Sequence, residues 1–173
     1  RKKTVRRIFL LGPSHHEAFT GCGLPCSSIK KYATPMGDIE LDVEVIEALA
    51  GADKKKWLRL EKEVDEAEHS LEMHLPYIYH AMAGESFTLV PIMVGSLSSG
   101  LEDTYGQLLA PYAEKEENFF IVSSDFCHWG KRFSYTAFDS KHYIEIYKYI
   151  TDLDRQGMDA IETGEVKEFR SYL

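Results

Sequence analysis

Two neighbouring histidines, His15 and His16, come directly after an apolar run at residues 5–11 and a Gly-Pro turn. Imidazole nitrogen is a common ligand of zinc, copper and iron, and it is the natural acid–base group near neutral pH. Because adjacent residues of an extended loop point in opposite directions, we expect the two rings to serve separate tasks. We expect Ser14 to support the same site; the alternative is a pair of solvated loop histidines.

A second group follows another apolar run, which ends near residue 122. Asp125 and His128 lie three residues apart, and an aspartate that accepts a hydrogen bond from an imidazole can orient it for proton transfer. We therefore predict an acid–base pair, with an aspartate that only caps a turn as the alternative. Cys127 lies between the two, and we interpret it as a small buried side chain that lines the pocket.

A third group occupies residues 68–76, which read Glu-His-Ser-Leu-Glu-Met-His-Leu-Pro. On a helix, His69 and Glu72 share a face, whereas His74 lies about 140° away from His69. A fully helical segment therefore does not bring both histidines to one metal ion. Two alternatives stay open: His69 lies in the cap of the helix, or one histidine bonds the core while the other is solvated.

Apolar runs and turn residues indicate which elements must position these groups. We predict strands at residues 5–11, 27–32, 87–94 and 118–123, and helices at residues 42–50, 70–82, 101–112, 141–153, 158–162 and 166–172. Strands that alternate with helices, and runs too apolar for a half-solvated sheet, predict an α/β fold with a mixed, largely parallel sheet flanked by helices. In such sheets ligands bind beyond the carboxyl ends of strands, where His15 and Asp125 stand.

Local features refine this pattern. Pro91 predicts that its strand lies at a sheet edge or carries a bulge. The Phe-Phe-Ile-Val run at residues 119–122 predicts a strand buried on both faces. Pro76 should mark a kink or the first turn of its helix. Asp139 and Ser140 are good caps for the long helix that follows them.

Composition limits the class of protein. The 173 residues are 44% hydrophobic, which suits a single α/β domain over residues 1–173. The formal net charge of −8 argues against general nucleic-acid binding, so we interpret the basic cluster within residues 1–7 and the charged residues 54–68 as solvated surface. No apolar run approaches the roughly 20 residues of a membrane helix, and three cysteines suit reduced thiols in a cytoplasmic setting.

Taken together and in order, these motifs resemble the Memo family (mediator of cell motility). The resemblance runs through residues 11–16, 32–35, 68–76, 91–95 and 123–130. It implies a fold similar to the class III extradiol dioxygenases, with a pocket that carries a metal triad of two histidines and one cysteine. The resemblance matches His15 to one of those histidines. It matches Asp125 and His128 to the acidic and histidine residues that line the same pocket.

The resemblance also implies copper or iron as the cofactor, because two imidazoles and a thiolate suit both metals. The family's first ligand histidine and its ligand cysteine belong to Ala-Pro-His-Ala-Gly-Tyr and Cys-Gly-Arg segments that this sequence lacks. Cys22, Cys26 and Cys127 do not match that cysteine. We therefore expect an internal fragment of a Memo-like domain, with an incomplete sheet, that does not bind the metal stably by itself.

The leading functional hypothesis is a metal-linked redox or signalling role in cell motility that uses the dioxygenase-like pocket, in the cytoplasm and also the nucleus. Ring cleavage is not expected because a thiolate replaces the dioxygenase carboxylate, and enzymatic activity as such stays open. One alternative is an extradiol dioxygenase-type oxidoreductase. The other is a module that binds phosphotyrosine peptides of receptor or cytoskeletal signalling partners, with Lys131 and Arg132 as candidate phosphate contacts.

Overall fold

The computed structural model describes residues 5–53 and 56–173. Part of the predicted basic cluster, namely Arg1, Lys2 and Lys3, lies outside the described residues, as do residues 54 and 55 of the predicted charged surface. No helix in the described part of the chain combines the length and the apolar character needed to cross a membrane.

The chain divides into two compact units, one that ends at Ser124 and one from Asp125 to Leu173. The single domain expected over residues 1–173 stays a prediction. The first unit contains strands β1 (Arg7–Pro13), β2 (Cys22–Pro25), β3 (Lys31–Thr34), β4 (Gly37–Glu40), β5 (Trp57–Leu60), β6 (Thr88–Val94) and β7 (Asn118–Val122). Its helices are α1 (Val43–Ala52), α2 (Lys62–Ala67), α3 (His69–Glu72), α4 (Leu75–Ala81) and α5 (Ser99–Ala113).

Five strands form one sheet in the order β5-β2-β6-β1-β7, and β3 pairs with β4 in a separate hairpin. The pairs β1–β6, β1–β7 and β2–β5 are parallel, whereas β2 and β6 are antiparallel. The predicted α/β fold with a mixed, mostly parallel sheet flanked by helices is therefore confirmed.

The central strand β1 is apolar because both of its faces are covered. Ile8, Phe9 and Leu10 are all at most 3% exposed. The Phe9 ring stacks on Phe120 of β7 with centroids 4.5 Å apart, and it lies 5.3 Å from the ring of Tyr112 in α5. The core thus fixes the carboxyl end of β1, from which the histidine loop departs.

Two strand predictions are wrong. Pro91 lies in the interior strand β6, not at an edge, and the one-to-one register of β1 with β6, which pairs Leu10 with Pro91, contains no bulge there. The strand β2 pairs only with Met93 and Val94 of β6, so the missing N–H of Pro91 breaks no β2–β6 pair. The strand β7 is an edge strand and not buried on both faces, because Phe119 is 54% and Val122 68% exposed.

Other predicted boundaries move. The helix predicted at residues 70–82 is two helices, α3 and α4, and Pro76 stands in the first turn of α4, as one of the two expectations had it. The strand predicted at residues 27–32 is replaced by β2 and β3 on either side. The charged stretch contains the strand β5, because Trp57 and Leu60 are buried.

The second unit holds a short 3-10 helix (Lys131–Phe133), α6 (Ile146–Glu162) and α7 (Val166–Tyr172). The helix predicted at residues 141–153 begins later, at Ile146, and includes the segment predicted as a separate helix at 158–162. Asp139 does not cap it: its carboxylate accepts the backbone N–H of Lys141 and contacts His142 Nδ1, which closes a turn instead.

Candidate functional site

The loop after β1 is held against the start of α3. Ser70 Oγ donates to the carbonyl oxygen of Pro13 at 2.8 Å. This approach requires glycine at position 12, because a Cβ there would lie 2.7 Å from Ser70 Oγ and 2.9 Å from a methyl carbon of Leu71. The packing therefore brings His15, two residues beyond the strand, next to the residues that begin α3.

Glu68 connects this loop to α3 through both of its carboxylate oxygens. The backbone N–H of His15 donates to Oε2 at 2.6 Å, and His15 Nδ1 lies 2.9 Å from Oε1. Glu68 also caps α3, because Oε1 accepts the backbone N–H of Ser70 at 2.9 Å. The Glu68 side chain is 0% exposed, whereas those of His15 and His69 are 28% and 55% exposed. The Glu68 carboxylate is therefore the buried part of a cluster in which the His15 and His69 side chains are exposed to solvent.

The hydrogen bonds keep Glu68 ionised in spite of its burial. Burial by itself raises the pKa of the Glu68 carboxyl, but the hydrogen bonds from His15 and Ser70 outweigh it and bring the pKa down to about 2. The carboxyl is therefore negatively charged at neutral pH. A buried negative charge at this position attracts a cation that approaches the site.

The histidine rings around Glu68 pack against one another. His15 and His69 stack with centroids 4.5 Å apart and planes at 28°, and His16 meets the edge of His69 at 5.8 Å. Candidate ligand atoms of His15, Glu68 and His69 lie within 4.8 Å of one another, a donor set that suits ferrous iron. The family resemblance matches His15 but not His69 to a metal ligand. We therefore treat His15 as the ligand candidate and His69 as its packing partner.

The predicted acid–base pair lies in the second unit, in the segment that follows β7. His128 Nε2 is 3.4 Å from Asp125 Oδ2, and their side chains are 51% and 44% exposed. The His128 ring also packs against Phe133 at 4.6 Å. The structure thus brings the two predicted side chains together, at a distance slightly long for a direct hydrogen bond.

Cys127 sits between this pair but is held differently. Its backbone N–H donates to Asp154 Oδ1 at 3.0 Å. Burial and, after it, the charge of Asp154 raise the pKa of the Cys127 thiol. Because metals bind and electrophiles react with the thiolate, this thiol is poorly suited to either task. The arrangement agrees with a small, partly buried side chain.

The remaining predicted residues have local roles. Ser14 shapes the histidine loop: its N–H donates to the Val94 carbonyl at 2.8 Å, and its Oγ donates to the Glu17 carbonyl at 2.6 Å. His74 Nδ1 lies 2.9 Å from the carbonyl oxygen of Ser70, in the turn between α3 and α4. His74 thus bonds the backbone of the preceding helix, whereas His69, the first residue of α3, packs against His15.

A cavity of about 870 Å³ lies beside Glu68 and the helix α3. Glu68, Leu71 and Glu72 contribute to its wall, together with residues 28–33, three residues of α2 and Leu75 at the start of α4. Tyr32, in the same wall, donates to Asp65 Oδ1 at 2.6 Å. The histidines of the cluster do not line this cavity, so Glu72 is the predicted pocket residue that it contains.

Glu68 is the functional residue that sequence reasoning missed, although it opens the motif at residues 68–76. The signal that could have found it is an acidic residue directly before a short helix, where a carboxylate commonly accepts backbone N–H groups. Its contact with His15, 53 residues earlier, is invisible without the fold.

The carboxyl ends of β1 and β7 lie side by side, since Leu11 pairs with Val122 and Ser123 N–H donates to the Leu11 carbonyl at 2.7 Å. Such a sheet, with a carboxylate-bound histidine beyond its first strand, defines an α/β protein with a histidine–carboxylate site at the carboxyl edge of the sheet. Residues 1–173 match the family model described as Memo-like protein. The chain belongs to this family, as its motifs predicted.

Individual relatives agree. The chain is 44% identical over 169 residues to "Protein memo-1 homolog" of Caenorhabditis elegans, and 43% identical over 171 residues to "Protein MEMO1" of Homo sapiens. It is also 44% identical over 171 residues to "Protein MEMO1" of Danio rerio. These alignments cover 98% of this chain and 47%, 56% and 56% of the three relatives. The chain therefore spans about half the length of the curated relatives it matches.

Proposed function

We propose that this chain is part of a Memo-family protein with a metal-linked redox or signalling role in cell motility, acting in the cytoplasm and the nucleus. The observation that supports the metal role is the pair of contacts between Glu68 and His15. His15 Nδ1 lies 2.9 Å from Glu68 Oε1, and the His15 backbone N–H donates to Oε2 at 2.6 Å. A histidine whose second nitrogen faces a carboxylate is the usual arrangement at protein metal centres.

In this proposal His15 holds copper or iron together with ligands supplied from outside the 173 residues. A bound redox metal would supply one-electron chemistry. The chain's own residues supply the rest: Glu68 provides negative charge beneath the site, and the stacked His69 ring holds the His15 ring in place. An imidazole ligand next to the buried Glu68 carboxylate suits a metal cation, because the carboxylate is negatively charged.

Asp125 and His128 are proposed to move protons. The Asp125 carboxylate, 3.4 Å from His128 Nε2, orients the ring, so that the ring can accept a proton and release it again. The half-exposed position of both side chains gives protons a route to solvent.

The test measures copper and iron content of the purified full-length protein by elemental analysis, beside its redox turnover with a chemical reductant. His15→Ala should abolish stoichiometric metal, and His80→Ala, which changes an exposed histidine on α4, should leave it intact. His128→Ala should keep the metal but alter turnover. Full metal occupancy in His15→Ala would contradict the ligand assignment, and unchanged turnover in His128→Ala would contradict the acid–base role.

A further inference from the structure

We propose that Glu68 is the positioning residue for His15: it holds the imidazole as the Nδ1–H tautomer and thereby makes Nε2 the nitrogen that bears the lone pair for a metal ion. This inference rests on the proposed function, because it names the group that prepares the same ligand. The two are nevertheless separable, since the tautomer of a histidine can be measured without any metal.

The tautomer follows from the chemistry of the acceptor. Oε1 of Glu68 accepts the Ser70 N–H and Oε2 accepts the His15 backbone N–H, so both oxygens act as acceptors, and the ring nitrogen that contacts Oε1 must carry the hydrogen. In this structure that nitrogen is His15 Nδ1, 2.9 Å from Glu68 Oε1. Neutral imidazole carries one N–H, so the lone pair is then on Nε2.

The orientation follows from the geometry of the same contact. One residue, His15, occupies both carboxylate oxygens, with its ring nitrogen on Oε1 and its backbone N–H on Oε2 at 2.6 Å. Two bonds from one residue to one rigid, planar group fix the backbone and the ring together. The His69 ring, whose centroid lies 4.5 Å from that of His15, restricts rotation of the His15 ring.

Glu68 is itself held, so that it can act as a fixed reference. It is fully buried, and its Oε1 also accepts the Ser70 N–H at the start of α3. Ser70 in turn donates from Oγ to the Pro13 carbonyl, at the end of the strand that carries the His15 loop. Glu68 and the His15 loop are thus both bonded to Ser70, which connects α3 to the end of β1.

The first experiment reads the tautomer directly, by long-range ¹H–¹⁵N correlation spectra of the metal-free protein with ¹⁵N-labelled histidine at about pH 8. The His15 signals are assigned as those lost in His15→Gln. We expect the Nδ1–H pattern in the wild type and a loss of that preference in Glu68→Gln, because one end of the amide is a donor and cannot accept both His15 N–H groups. An Nε2–H pattern in the wild type would overturn the proposal, whether or not the variant folds.

The second experiment measures the affinity of the full-length protein for ferrous iron, added alone under anaerobic conditions, by titration calorimetry. Glu68→Gln should weaken binding about 10–100-fold, Glu68→Asp should recover part of it by restoring the charge, and Glu63→Gln, which changes an exposed carboxylate on α2, should change nothing. Unchanged tautomer and affinity in Glu68→Gln would overturn the positioning role. Stoichiometric iron in His15→Ala would instead refute the proposed function, and the wild-type Nδ1–H spectrum would still support tautomer control by Glu68.

Discussion

The depressed pKa of Glu68 makes a quantitative prediction about folding. The pKa of this carboxyl falls from an ordinary 4.5 to about 2 in the folded protein. Since each pKa unit corresponds to about 1.4 kcal/mol, ionised Glu68 contributes about 3 kcal/mol to the free energy of unfolding at pH 7. The side chain is 0% exposed, so solvent does not screen this contribution. Glu68→Gln, which removes the charge and keeps the shape, should lose about that amount.

The sign of the pH dependence follows from the direction of the shift. Because the folded pKa is lowered, the stabilisation is fully present above pH 4.5 and is lost as the pH falls towards 2. The stability gap between wild type and Glu68→Gln should therefore shrink to less than half, about 1.4 kcal/mol, near pH 3. Urea unfolding followed by circular dichroism at about pH 7 and pH 3 measures both gaps. Equal stability at pH 7, or a gap that persists undiminished at pH 3, would refute this reasoning.

Two further substitutions test how the sheet holds the site. Asp42→Ala removes the cap of α1 together with the ion pair to Arg7 at 2.6 Å, and should cost about 2–4 kcal/mol in urea unfolding; a change below about 0.5 kcal/mol would contradict it. Gly12→Ala should lower the melting temperature because its Cβ would lie 2.7 Å from Ser70 Oγ, whereas Gly106→Ala, on an exposed turn of α5 with open space around it, should raise it slightly. Equal melting temperatures for the two would count against the close contact at Gly12.

The sheet could be predicted because its central strands are unambiguous in the sequence. The runs that became β1 and β6 are too apolar for anything but a covered sheet, whereas the equally apolar run of β7 lies at a sheet edge. The order of the strands within the sheet could not be predicted, since it depends on strands that are far apart in the sequence. Pro91 signals an edge by a local rule, yet β6 is interior because β2 pairs with it only beyond that residue.

The candidate site could be predicted only in part, for the same physical reason. His15 stands out because an imidazole directly after a buried strand is chemically conspicuous. Its partner Glu68 does not, because an isolated glutamate before a short helix looks like any surface carboxylate. Glu68 becomes a buried hydrogen-bond acceptor for His15 only because α3 packs closely on β1. Gly12 permits this packing because it has no Cβ.

The charge of Glu68 also bears on which ligand the histidine cluster can accept. A fully buried carboxylate with a pKa of about 2 stays anionic beside His15 and His69 at every pH where the protein is expected to work. It attracts a metal cation, and it repels a phosphate group that approaches the same rings. A phosphotyrosine peptide would therefore have to bind elsewhere, at exposed cations such as Lys131 and Arg132 of the second unit. Of the two proposals, the buried carboxylate beneath these rings supports the metal-linked role more than phosphopeptide recognition at this site.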